Sequence, residues 1–155
     1  MTRLSDVMTH DVVVFDTDTS LLDAVETLAE RHISGAPVMS GNALVGVIST
    51  SDILEFIAGN PAMVADFGDD DGDRGNLAAH TVAEAMNGGH VATLPPTAPI
   101  RAAAELMRTS GIHRVFIAEE GRVIGVVTSL DITRALADGK VTTRTFVFPS
   151  KTHFD

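Results

Sequence analysis

The sequence predicts an α/β (α+β) fold of two β-α-β-β-α repeats packed as a pseudo-twofold pair. Three observations carry this. Residues 46–53 read GVISTSDI and residues 125–132 read GVVTSLDI, so one octamer occurs twice, 79 positions apart. At the same offset LLDAVETLAERHISGAPV aligns with IRAAAELMRTSGIHRVFI, pairing Leu21 with Ile100, Ala24 with Ala103, Glu26 with Glu105 and Ile33 with Ile112. Upstream, SDVMT matches AEAMN after one inserted residue, which pairs Met8 with Met86. A self-similarity of this length marks a duplicated supersecondary unit, and one such unit cannot bury both faces of its own small sheet.

The elements follow in order. A β-rich run, Val12–Phe15 or Val91–Leu94, opens each copy. A helix follows, with apolar positions Leu21, Ala24, Val25 and Leu28, repeated as Ile100, Ala103, Ala104 and Met107. This i, i+3, i+4, i+7 spacing gives one buried face. Ser20 is placed to cap the first helix, and Pro99 suits the first turn of the second. Next come two apolar runs joined by a turn, APVM-SGN-ALVGVI and VFIA-EEG-RVIGVV, which read as hairpins with loops of about three residues. The octamer closes the second strand and opens a further helix, SDILEFIA or LDITRALA.

The predicted organisation is repeat 1 over residues 1–60, an acidic Gly/Asp-rich linker over 61–80, repeat 2 over 81–140 and a tail over 141–155. Five aspartates lie between Asp66 and Asp73, so the linker centre reads as a mobile, solvated segment, with MVADF as a possible short helix covering part of the core. The alternation of Asp69, Asp71 and Asp73 suggests a calcium loop, but Arg74 stands where the EF-hand turn needs glycine and no glutamate follows. The tail alternates apolar and polar residues from Thr143 to Phe148 and reads as an edge strand, a segment swapped onto a neighbour, or disorder.

Composition excludes several function classes. The net charge is −10, from 21 acidic against 11 basic residues, which argues against a nucleic-acid polymer as partner. Aromatic residues are 5% of the chain, with no Trp or Tyr, which argues against a base-stacking platform. Cysteine is absent, so disulfides, thiolate metal sites and cysteine nucleophiles are out. The six histidines show no zinc spacing. No apolar run spans a bilayer or forms a signal peptide, so the expectation is a cytoplasmic protein without membrane contact.

The octamer places Ser49 three residues before Asp52, and Thr128 three before Asp131, at a strand-to-helix junction. One reading is a capping box that satisfies open helix amides. The other is a ligand site: a carboxylate can accept both vicinal hydroxyls of a ribose, while a hydroxyl and helix N–H groups suit a phosphate. Gly46 and Gly125 are either strand bends or points of close approach.

These motifs, VMT, VVV, TSLLDAVETLAERHISGAPV and LVGVISTSDIL, with the second copy GIHRVFI and VIGVVTSLDI, resemble the CBS-domain pair, or Bateman module. The resemblance covers residues 4–58 and 81–137. It implies two strand-helix-strand-strand-helix units packed through their sheets, a tendency to form homodimers, and no catalysis. It also implies binding of AMP, ADP, ATP or S-adenosylmethionine as regulatory ligand, with no cofactor required and occupancy relayed to an effector protein that the sequence does not name. By position, Asp52 and Asp131 match the family's ribose acid, and Ser49 and Thr128 its hydroxyl. Val13 and Ala92 mark the strand that reads adenine, while Ile33 and Ile112 match apolar contacts to the base. His113 and Arg114 match a basic pair that contacts phosphates, which family geometry assigns to the site of Asp52. Copy one carries Ser34 and Gly35 there, so the two sites are expected to differ. The plainer reading of His113 and Arg114 is an exposed strand edge.

Three function classes remain: a ligand-sensing regulatory module, a structural interaction module with vestigial sites, and an enzyme. The last is the weakest, because no nucleophile elbow, P-loop, metal cluster or acid–base pair is present.

Overall fold

The computed structural model of the chain describes residues 2–10, 12–65, 70–89 and 91–139. The tail segment from Thr143 to Phe148 and the aspartates Asp66 and Asp69 lie outside the described residues.

Both repeats form, element for element. Repeat 1 gives β1 (Phe15–Asp16), α1 (Leu21–Arg31), β2 (Gly35–Ser40), β3 (Ala43–Ser49) and α2 (Thr50–Ala58). After it come α3 (Pro61–Ala65) and α4 (Asp70–Ala78), then α5 (Val82–Ala85) and β4 (Asn87–Gly88). Repeat 2 gives β5 (Thr93–Leu94), α6 (Ile100–Ser110), β6 (Arg114–Glu119), β7 (Arg122–Thr128) and α7 (Ser129–Ala137). The opening strands are shorter and later than the runs at Val12 and Val91 suggested. Each pairs in parallel with the first strand of its hairpin, Phe15 beside Val38 and Thr93 beside Phe116.

Ser20 caps α1 as expected, accepting a hydrogen bond from the Asp23 N–H at 3.1 Å. Pro99 differs from the expectation by one position: it precedes α6 as an extended residue and contributes no side-chain cap. The hairpin turns are also tighter, with two residues between the strands rather than three. Glu120 and Gly121 both have positive φ, 52° and 78°, the paired left-handed conformation that matches the twist of a two-residue hairpin.

The described residues fall into two compact units. One runs from residue 12 to Ala92 with Glu120–Arg122; the other joins residues 2–10 to Thr93–Glu119 and residues 123–139. The units differ from the sequence boundaries 1–60 and 81–140 because the opening segments of the repeats are exchanged. In the first unit, Val82 N–H donates to the Thr19 carbonyl at 2.8 Å and β4 pairs antiparallel with β3, Gly88 beside Gly46. In the second, a 3-10 turn at Leu4–Asp6 docks on repeat 2, with Leu4 N–H donating to the Ala98 carbonyl at 2.9 Å, and Thr9 bridges Val126. The physical reason is an edge: the outer side of β3 or β7 would otherwise leave its backbone groups unpaired.

Each unit has its own core. The first gathers Phe15, Leu21, Ala24, Leu28, Val38, Ile48 and Val82; the second gathers Leu4, Ile100, Ala103, Met107, Val115, Ile117 and Val127. Leu4 and Val82, the matched residues of the exchanged segments, are both fully buried.

The linker is more ordered than its composition suggested. Met63 on α3 is 3% exposed; α3 holds the first three residues of the MVADF stretch, and the last two lie outside the described residues. The described residues from Asp70 to Ala78 are helical, where a solvated segment was expected: Leu77 packs on the first core, and the Arg74 guanidinium meets Glu26 on α1 at 2.8 Å. Leu77 and the Arg74–Glu26 pair both tie the helix to the first unit. Among the described residues, no helix is long and apolar enough to cross a membrane.

Candidate functional site

The octamers fold as the strand-to-helix junctions they spell. Ser49 ends β3 in an extended conformation and is the N-cap of α2; Thr128 does the same for α7. The Ser49 N–H donates to Asp52 Oδ2 at 2.8 Å, and the Asp52 N–H donates back to Ser49 Oγ at 3.1 Å. In the second unit Thr128 N–H donates to Asp131 Oδ2 at 2.8 Å and Asp131 N–H donates to Thr128 Oγ1 at 3.2 Å. Both copies are therefore capping boxes. All four residues are half-buried, and the second carboxylate oxygen, Oδ1, of each aspartate accepts no hydrogen bond among the described residues.

The remaining expected site residues divide between the units. Val13 and Ile33 pack on the first core beside Ile53. Ile112 packs on the second. The His113 carbonyl accepts the Ser129 N–H at 2.9 Å, as the Ser34 carbonyl accepts that of Thr50 at 2.9 Å, so each of these segments is pinned to the start of its own repeat's helix. His113 is exposed. Arg114 is half-buried, and burial lowers its pKa from the ordinary arginine value, without removing its charge at any physiological pH. Ala92 is grouped with the first unit, apart from Asp131 and Ile112.

The glycines of the octamer have a role that the sequence left open. A Cβ on Gly46 would stand 2.7 Å from the Asn87 carbonyl oxygen and 3.2 Å from Met86 Sδ; one on Gly125 would stand 2.5 Å from Met8 Sδ. They admit the exchanged segments rather than a strand bend. Met8 and Met86, matched in sequence, thus occupy matched positions in space.

Two cavities lie near these junctions, each within one unit. The larger, about 390 Å³, lies among α1, α2, α3 and α4, with walls that include Leu28, Ile33, Ile53, Ile57 and Leu77. Its lining is mostly aliphatic. The smaller, about 220 Å³, opens at Asp131 and is polar, with Asp6, Met8, Arg134, Ala135 and Asp138 around the acid. Sequence reasoning did not single out Asp6, Arg134 or Asp138. The signal was present in part, since residues 131, 134, 135 and 138 share one helix face; the approach of Asp6 comes from the segment exchange. Pro37, fully buried inside β2, serves the core. Among the described residues there is no cluster of side chains able to hold a metal ion.

The CBS domain family model matches residues 4–59 and 82–138, both repeats with their opening segments. The chain belongs to the CBS-domain family. The A-adding tRNA nucleotidyltransferase of Aquifex aeolicus is 29% identical over 137 residues, 88% of this chain and 14% of that protein. The chain spans less than half the length of the first curated relatives it matches, and the two of these with enzyme names are far longer proteins. Among solved structures, CBSX2 in complex with AMP superposes with a TM-score of 0.70 at 24% identity, covering 91% of this chain and 100% of that one. The CBS domain pair of protein MJ0100, in complex with 5′-methylthioadenosine and S-adenosyl-L-methionine, gives 0.67 at 24% identity, covering 87% and 99%. At this identity the likeness establishes the CBS-pair fold.

Proposed function

We propose that this CBS pair is a regulatory module that binds an adenosine-containing ligand and passes its occupancy to a partner protein. The observation that carries the reading is the matched pair of half-buried aspartates, Asp52 and Asp131. Each is held rigid by its capping box through one oxygen and keeps the other for an acceptor role toward a ribose hydroxyl. The bound molecules of two proteins with the same fold, AMP in CBSX2 and the two adenosyl compounds in MJ0100, support this class of ligand. Occupancy acts by favouring whichever conformation of the pair binds the ligand more tightly, and it shifts partner affinity by at most that difference.

Isothermal titration with AMP, ATP and S-adenosylmethionine tests the proposal. Binding of at least one of them, weakened in Asp52→Asn or Asp131→Asn while the fold persists, is the expected result. Absence of binding by folded protein to all three removes it.

The capping boxes also favour a second reading, a structural interaction module with vestigial sites, because each acid already has a structural task. In that case Asp52→Asn and Asp131→Asn together leave partner binding unchanged with or without nucleotide.

A further inference from the structure

We infer that the cavity at Asp131 selects adenosyl ligands carrying a cationic amino-acid substituent over those carrying a phosphate chain. This rests on the ligand-binding reading above and names the ligand class for one of its two acids. The first observation is the pattern of charge: Asp6, Asp131 and Asp138 border the cavity together with one guanidinium, Arg134. Arg134 makes no ion pair among the described residues. A phosphate chain on a ribose held by Asp131 would meet two further carboxylates in a chain of net charge −10, and like charges at such range repel. A methionyl sulfonium substituent carries two positive groups and one carboxylate, which complements two acids and one guanidinium.

The second observation is room. Ala135 is buried against the second core, and the cavity of about 220 Å³ opens beside it. At the matching position of repeat 1 stands Phe56, packed on the first core with its ring edge-on to His80, centroids 5.2 Å apart. Repeat 1 thus carries a far larger side chain at this position than repeat 2 does. The two acids are alike in their caps and unlike in what surrounds them. His113 and Arg114, the cations that the family resemblance assigns to phosphate, are not walls of this cavity.

The test compares S-adenosylmethionine, 5′-methylthioadenosine, AMP and ATP by isothermal titration against the intact protein, at low and at high salt. Wild type binds S-adenosylmethionine more tightly than methylthioadenosine and ATP more weakly, and added salt narrows both gaps. The ratio of S-adenosylmethionine to methylthioadenosine affinity falls by about two- to fivefold in Arg134→Gln and in Asp138→Asn, the size set by exposed ion pairs. ATP binding as tightly as S-adenosylmethionine, or an affinity ratio that neither substitution moves, overturns the inference. In that outcome methylthioadenosine still binds and the adenosine reading stands. Folded protein that binds none of the four removes the reading and the inference together.

Discussion

The sulfur of Met8 lies 2.5 Å from where a methyl group on Gly125 would stand, too close for both. Met86 stands in the same relationship to Gly46, its sulfur at 3.2 Å, with the Asn87 carbonyl oxygen nearer at 2.7 Å. Each octamer glycine is thus the floor on which the other repeat's opening segment rests.

Gly46→Ala is the costlier of the two substitutions. The Asn87 oxygen is backbone in a paired strand and cannot rotate away, so overpacking costs about 2–3 kcal/mol. At Gly125 the flexible methionine can swing aside, although the Thr9 carbonyl oxygen, 3.1 Å off, limits the relief, and about 1–2 kcal/mol is expected. Chemical denaturation of both variants checks the order. Adding Met8→Ala to Gly125→Ala should recover part of the loss.

The segment exchange makes a prediction about location. Leu4→Ala removes a fully buried side chain from the unit built on repeat 2 and costs about 2–5 kcal/mol. Amide hydrogen exchange should speed first at Val115, Ile117 and Val127, and less at Val38 and Ile48. Val82→Ala should give the reverse pattern. Loss of protection in residues 38–48 alone after Leu4→Ala would contradict the exchange.

Ser49→Ala and Thr128→Ala separate the cap from ligand chemistry. Each removes one half of a capping box and should lower stability without ligand by about 1 kcal/mol. Thermal unfolding in ligand-free buffer measures it. Thr128→Ser keeps the acceptor and should stay close to wild type.

Acid stability should depend on Glu84. Its carboxylate accepts the Thr81 N–H at 2.7 Å and pairs with His80, and these hydrogen bonds hold its pKa below the ordinary value of 4.5. A depressed folded-state pKa contributes stability that is present above the unfolded value and is lost as pH falls through the folded one. The part that comes from the titration of Glu84 itself is therefore complete above about 5 and fades below 4.5. Unfolding midpoints followed from pH 6 down to about 3 should fall more gently for Glu84→Gln than for wild type. Identical acid limbs would show that the exposed pair contributes nothing.

The duplication, the helix faces and the capped strand-to-helix junctions were legible in the residues because each is set by local chemistry: apolar spacing, a hydroxyl three residues before an acid, turn residues between apolar runs. Leu21, Ala24 and Leu28 are buried as their spacing requires. The order of α4 was not legible. Its acidic, glycine-rich composition argues for solvation, and contacts with distant residues, Leu77 and Arg74 among them, outweigh that tendency.

The candidate site divides in the same way. The sequence alone determined the repeat, the two capped aspartates and their family, since all depend on residue order within each copy of about 50 residues. Tertiary structure alone decided which segment completes each unit, why Gly46 and Gly125 carry no side chain, and that Asp6 comes to the side of Asp131. These depend on pairing between residues of different repeats, such as Gly46 with Gly88 and Thr9 with Val126. An unpaired strand edge must be satisfied by some segment, and local sequence carries no mark of which one it will be.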